Sequence, residues 1–219
     1  MIDCTLCAEL ESDAGRAPWN EPLIETEHFT VIPSLGALVE GWLLIVPKMH
    51  FISMGALPID LRAEADGLEH QTRSLLKAKY RKPVVGFEHG PSAAHHGTGC
   101  GVDHAHLHLL PLDCDLLSYT RPFMPASSEW VGCDWTERAE AYKSGLDYLY
   151  LRAEGTDGLI AVSGDFGSQV FRKAISTYLG VEREFNWRTY PRLEVVARTI
   201  EGLASARALF GSCGAEHAI

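Results

Sequence analysis

Read for hydrophobic and polar positions, the first half of the chain is a set of short apolar runs around one long amphipathic stretch. Residues 23–26 and 29–32 are apolar runs on either side of Glu27-His28 and predict two short strands. Residues 42–46, Trp-Leu-Leu-Ile-Val, end at Pro47 and predict a central buried strand. From 60 to 80 the spacing of Leu61, Leu68, Leu75 and Leu76 predicts a helix with an apolar stripe. Asp60 is placed to cap its start. Glu64 and Asp66 sit early and Lys77, Lys79 and Arg81 late, as the helix dipole favours on a solvated face. Residues 84–88 predict a further strand.

The next strand carries the chemistry. Residues 104–110 read His-Ala-His-Leu-His-Leu-Leu. Side chains alternate between the faces of a strand, so His104, His106 and His108 would share one face and Ala105, Leu107 and Leu109 the other. A histidine is costly on a dry face and useful on a wet one. Three in file backed by aliphatics therefore predict a site, for catalysis or for a metal.

After residue 112 the pattern weakens. Asp134-Trp-Thr-Glu137 reads as a capping box opening a helix to Lys143. Residues 148–152 and 159–162 flank Gly155-Thr-Asp-Gly158 as a hairpin. Val170, Phe171, Ala174, Ile175, Tyr178 and Leu179 have helical spacing, with Gly180 as the stop, and 193–209 reads as a last helix. The aromatic connection 185–191 reads as core, or else as a wall of a substrate pocket. Gln169, Arg172, Lys173 and Arg188 are candidates to meet an acidic group.

With 219 residues, the chain has room for one large domain or a domain plus an extension, and 46% hydrophobic residues is ordinary for a folded soluble protein. A formal charge of −10 argues against nucleic-acid polymers and anionic membranes as partners, though not against a small nucleotide in a local pocket. Met1-Ile2-Asp3-Cys4 has no basic start with an apolar run behind it, and no stretch is long and apolar enough to span a bilayer, so a cytoplasmic location is expected. Six cysteines in that setting suggest reduced thiols. Cys4 and Cys7 have the spacing with which two thiolates grip one metal ion, although a lone C-x-x-C also fits a redox pair or free thiols.

The run His104-Ala-His106-Leu-His108-Leu-Leu resembles the signature of the histidine triad family. The stretch 40–50, Glu-Gly-Trp-Leu-Leu-Ile-Val-Pro-Lys-Met-His, looks like that family's strand and turn, and Cys4-Thr-Leu-Cys7 like its N-terminal metal knuckle. The resemblance covers roughly the first half of the chain. It implies an α+β fold with an antiparallel sheet of about five strands and a packed long helix, within a catalytic domain at 1–113. Residues 114–219 would then be a mixed α/β extension packed on it. It also implies a structural zinc ion held by Cys4, Cys7, His50 and His104, and it leaves a two-fold dimer open.

For chemistry, the resemblance implies cleavage of a nucleotide at the α-phosphate. His106 would be the nucleophile, His108 would hold a phosphate oxygen or assist the leaving group, and the backbone near His104 would fix the tautomer of His106. The Gly-rich stretch 89–101 would lie against the phosphate, with Ser92, Gly99 and Gly101 as donors and His95 and His96 as lesser candidates. Four positions depart from the family pattern, two of them Cys100 and Gly101, which replace the glutamine and serine that precede the triad. Trp42 stands where many members have a histidine, and Ser34 stands where they have a ribose-binding aspartate, so both are expected to contact substrate and the nucleoside grip is expected to differ. Two other classes compete with an enzyme of this kind: a non-catalytic nucleotide-binding protein, and a protein whose triad itself holds a catalytic metal.

Overall fold

The computed structural model describes residues 4–11, 17–94 and 101–210. Its strands are β1 (Ile24–Glu25), β2 (Phe29–Pro33), β3 (Leu43–Pro47), β4 (Val84–Gly90), β5 (Leu107–Pro111), β6 (Val131–Cys133), β7 (Tyr148–Arg152) and β8 (Gly158–Val162). All eight lie in one sheet, ordered β1-β2-β3-β5-β4-β7-β8-β6, and every pairing is antiparallel.

The expected α+β class holds, but the expected count of about five strands does not. The five strands of the first half are contiguous, and β7, β8 and β6 continue the same sheet from the far side of β4. An unpaired β4 would leave a seven-residue edge of N–H and C=O groups open. Instead, residues 86–90 of β4 pair with residues 148–152 of β7. One sheet therefore runs across the boundary expected at residues 113/114.

Among the described residues six α-helices accompany it: α1 (Thr5–Glu11), α2 (Ile59–Tyr80), α3 (Leu116–Thr120), α4 (Trp135–Lys143), α5 (Val170–Tyr178) and α6 (Leu193–Phe210). The long helix α2 buries Leu61, Ala65, Leu68, Thr72 and Leu76, a stripe repeating every three to four residues. Its start differs from the expectation. Pro58 is the N-cap, with no side-chain cap, and Asp60 lies inside the first turn, where its charge meets the helix dipole. The capping box at Asp134 and Glu137 is formed at the head of α4.

The sheet separates two apolar layers. On one face Leu43, Ile45, Ala105, Leu107 and Leu109 pack with Leu68 and Leu76 of α2. On the other, Trp42, Phe87, Leu110, Leu149 and Leu151 pack with Phe171, Ala174 and Ile175 of α5. A smaller cluster of Cys4, Leu6, Ile32 and Val46 joins α1 to the second face near β2 and β3. Between α1 and α5 this second face is left as a cleft.

Candidate active site

The expected alternation holds across residues 105–110. Ala105, Leu107 and Leu109 face the α2 layer, while His106 and His108 line the cleft on the opposite face. The strand is shorter than expected and begins at Leu107 rather than His104. The Ala105 N–H bonds to the Phe51 carbonyl at 2.7 Å, and the His104 carbonyl is taken by the His106 ring. Both groups are thereby drawn away from the sheet ladder.

His106 Nδ1 lies 2.7 Å from that carbonyl, which can only accept. Neutral His106 therefore carries its proton on Nδ1 and its lone pair on Nε2, the form a nucleophilic imidazole needs. His108 is the opposite tautomer. The Trp42 indole N–H, which can only donate, bonds to His108 Nδ1 at 2.9 Å, so the proton of neutral His108 sits on Nε2. The two rings are 4.8 Å apart, and His108 is stacked on Phe87 at 4.5 Å. Burial, with His106, His89 and Arg172 nearby, holds His108 well below the usual histidine range and so keeps it neutral.

The cleft has a cavity volume of about 140 Å³ and opens to solvent. Thr5, Leu6 and Glu9 of α1 form one wall and Ile32 to Leu35 another. Trp19 and Trp187 are its aromatic lining residues, and His106, His108 and Arg172 are among its polar ones.

The sequence candidates are distributed unevenly around it. Ser34 lines the cleft, its hydroxyl 3.5 Å from the Leu35 carbonyl. Trp42, expected to contact substrate, is fully buried behind His108 and reaches the cleft only through that ring, a correction that follows from its place in the apolar layer. Ser92 directs both its N–H and its hydroxyl to Asp147 at 2.8 Å and is not among the cleft residues. Gly101 has φ +84°, and its carbonyl accepts from Arg188 at 2.5 Å. Gly99, His95 and His96 lie outside the described residues.

From the second half, Arg172 and Trp187 reach the cleft, so part of the aromatic connection is a pocket wall. Arg188 reaches Gly101 and lies over the Trp187 ring, whereas Lys173 lies over Phe185. Trp19, Asn20 and Glu9 were not singled out from the sequence, and a lone aromatic followed by polar residues in the first twenty positions gives no periodicity to read.

His89 was also missed as a buried neighbour, although the period of β4 places it with Val85 and Phe87. Its Nε2 accepts from the Phe171 N–H at the head of α5 at 3.4 Å. Burial, with His106, Arg172 and Lys173 nearby, pushes His89 down to about 3. The unfolded chain would protonate it near 6.5, so the unfolded state binds more protons between those values. The contribution of His89 to stability is complete above pH 6.5 and is lost as the pH falls towards 3, by up to about 1.4 kcal/mol per pH unit. His89→Asn should flatten this slope relative to the unmodified protein. Urea midpoints of both across that window check it, and equal slopes would remove His89 as the cause.

The third histidine faces elsewhere. His104 Nδ1 lies 3.5 Å from Cys4 Sγ and 3.3 Å from Cys7 Sγ, and His50 Nδ1 is 3.3 Å from Cys7 Sγ. The four ligand atoms lie within 4.8 Å of one another. In tetrahedral zinc, with Zn–S about 2.3 Å and Zn–N about 2.0–2.1 Å, sulfur and nitrogen are about 3.6 Å apart, so the residues fit a structural zinc site. The His104 Nε2–H bonds to the Pro47 carbonyl at 2.8 Å, which presents Nδ1 as the ligand atom. The set brings the N-terminal knuckle, the turn after β3 and His104, two residues before His106, to one point.

Solved structures similar to this one include histidine triad family proteins. A histidine triad nucleotide-binding protein from Sulfolobus tokodaii is 22% identical over 51% of this chain and 71% of its own, with a TM-score of 0.40. A zinc-bound histidine triad family protein from Mycobacterium smegmatis is 21% identical over 65% and 92%, with a TM-score of 0.38. A yeast Ap4A phosphorylase in complex with AMP is 11% identical over 64% and 58%, with a TM-score of 0.36. No protein-family model matches the chain, and no curated protein matches it. Likenesses at these scores decide nothing about the chemistry, which rests on the side chains themselves.

Proposed function

We propose that the chain is an enzyme that cleaves a nucleotide at the α-phosphate through a covalent nucleotidyl-histidine on His106, acting as a hydrolase or a nucleotidyl transferase. The observation that carries this reading is the His106 Nδ1–H bond to the His104 carbonyl, which orients the ring and leaves its lone pair on Nε2 in a residue lining the cleft. In the first step a bond forms between His106 Nε2 and the α-phosphorus. The bond from phosphorus to the leaving group breaks, and the leaving group keeps the electron pair. His108 Nε2–H meets the charge that develops on the phosphoryl oxygens. In the second step water, phosphate or another acceptor forms a bond to phosphorus as the P–N bond breaks, its electron pair returns to His106 Nε2, and any proton carried by the acceptor passes to bulk water. The nucleotide class is supported by the sequence resemblance and by the aromatic side chains of Trp19 and Trp187 in the cleft lining, a residue type that stacks on planar bases.

The reading in which the triad holds a catalytic metal fits less well. The His104 ring is grouped with the cysteines, and the His106 Nδ1 proton is committed to a carbonyl. Among the described helices none is long and apolar enough to cross a membrane.

The test is capture of the adduct. Brief incubation with a panel of nucleotide conjugates and a basic quench should leave the peptide containing His106 heavier by one nucleotidyl group, and His106→Ala should show none. Turnover with an unmodified His106 peptide, or an adduct on another residue, would overturn the mechanism.

A further inference from the structure

The departure at Trp42 bears on which substrates the site can process, an inference that rests on the proposed role of His106 as nucleophile. We infer that Trp42 holds His108 as a fixed neutral Nε2–H donor that does not give up its proton, so that the substrate is a phosphoric anhydride whose leaving group departs as a phosphate anion, rather than a phosphoramidate or an alkyl ester.

The indole N–H donates to His108 Nδ1 at 2.9 Å and cannot accept. Protonating His108 would set one N–H against another. Neither ring can escape to water, since Trp42 is 0% and His108 3% exposed. Trp42 is clamped edge-on to Phe87 at 5.8 Å, with the Arg172 guanidinium 4.9 Å over its ring. Arg172 is itself buried. It donates from Nε to the Phe185 carbonyl at 2.7 Å and from Nη2 to the Gly36 carbonyl, so a permanent cation is fixed beside the pair. The other rings near His108 are His106 at 4.8 Å, His89 at 6.4 Å and Phe87 at 4.5 Å. No carboxylate forms an ion pair with His108 among the described residues.

His108 Nε2 is buried without a hydrogen-bond partner among the described residues, in a side chain lining the cleft beside His106. A buried donor left open in this way calls for an acceptor, and a phosphoryl oxygen supplies one. Its proton stays on His108 throughout. The His106 Nε2 lone pair forms the N–P bond, the bridging P–O bond breaks, and the electron pair remains on the departing phosphate, which is a stable anion. An amine or an alkoxide would need a proton as it left, and His108 is locked out of giving one.

The measurement is kcat/KM for substrates sharing one nucleoside monophosphate: an anhydride, an amine phosphoramidate, and aryl esters graded in the acidity of the phenol. The anhydride should exceed the phosphoramidate by about 100-fold or more, the usual worth of a missing general acid, and the esters should slow steeply as the phenol weakens. Trp42→Phe removes the N–H that blocks Nδ1, so the ratio of anhydride to phosphoramidate should fall by about tenfold or more. A purely structural role for Trp42 would lower both rates and leave the ratio in place, which would overturn the inference. Should Trp42→Phe fail to fold, the unmodified protein still decides: a flat ester series, or a His106 adduct formed as fast from the phosphoramidate, overturns the inference and leaves the nucleophile intact. If no substrate yields a His106 adduct, both fall together.

Discussion

Replacing His106 with alanine is expected to lower kcat by about 10⁴-fold or more while changing nucleotide affinity by less than about threefold. The size of the effect follows from the role proposed for the ring. Without it the displacement would have to proceed directly, with no covalent intermediate to divide the barrier. The small effect on affinity follows from the pocket. The aromatic walls at Trp19 and Trp187, the donor on His108 and the charge of Arg172 lie outside the substituted side chain. The His106 ring bonds to the backbone carbonyl of His104 and to none of the four ligand atoms, so metal content should be unchanged. Rapid-quench kinetics, titration calorimetry with the nucleoside monophosphate and metal analysis of one preparation separate the readings. A variant that still turns over at near the original rate excludes His106 as nucleophile. A variant that has lost a metal ion would instead favour a catalytic metal in the triad.

Much of this site was legible in seven residues. The alternation from Ala105 to Leu110 needs only the period of a strand, and the structure sends the aliphatics to the α2 layer and His106 and His108 to the cleft. Local signals elsewhere held for the same reason. The capping box at Asp134, the hairpin of β7 and β8 and the helix ending near Gly180 are each written within about fifteen consecutive positions or fewer.

What was not legible is what non-local pairing decides. Nothing within residues 148–162 says that the hairpin continues the sheet of the first half, because the edge it covers lies some sixty residues earlier on β4. The three-residue strand β6 has partly exposed side chains and no apolar period. Trp42 shows the same limit at a single residue. As an aromatic at a position associated with substrate it invites a contact, yet its neighbours in the fold, Phe87, His108 and Arg172, place it behind the reacting face. Its influence passes through one hydrogen bond.

Removal of the metal should show how far the two centres depend on each other. Cys7→Ser is expected to abolish binding of one zinc ion, because a hydroxyl is a poor replacement for a thiolate in a four-ligand site. A metal present at about a thousand times its dissociation constant adds about 4 kcal/mol, which for a domain of this size corresponds to a fall of about 8–16 °C in the thermal midpoint when it is lost. The damage should not stop at stability. Leu6, between the two cysteines, and Glu9, on the next turn of α1, both line the cleft, so loosening the knuckle opens one wall and should raise KM. His104 gives its ring to the cluster and its carbonyl to His106, so a released His104 also weakens the bond that sets the nucleophile's tautomer, and kcat should fall as well. Metal analysis, calorimetric unfolding and steady-state kinetics of Cys7→Ser, alongside the unmodified protein treated with a chelator, test the three effects. If metal is lost and the midpoint falls while KM and kcat stay where they were, the cluster anchors the terminus alone and the coupling through α1 and His104 is wrong.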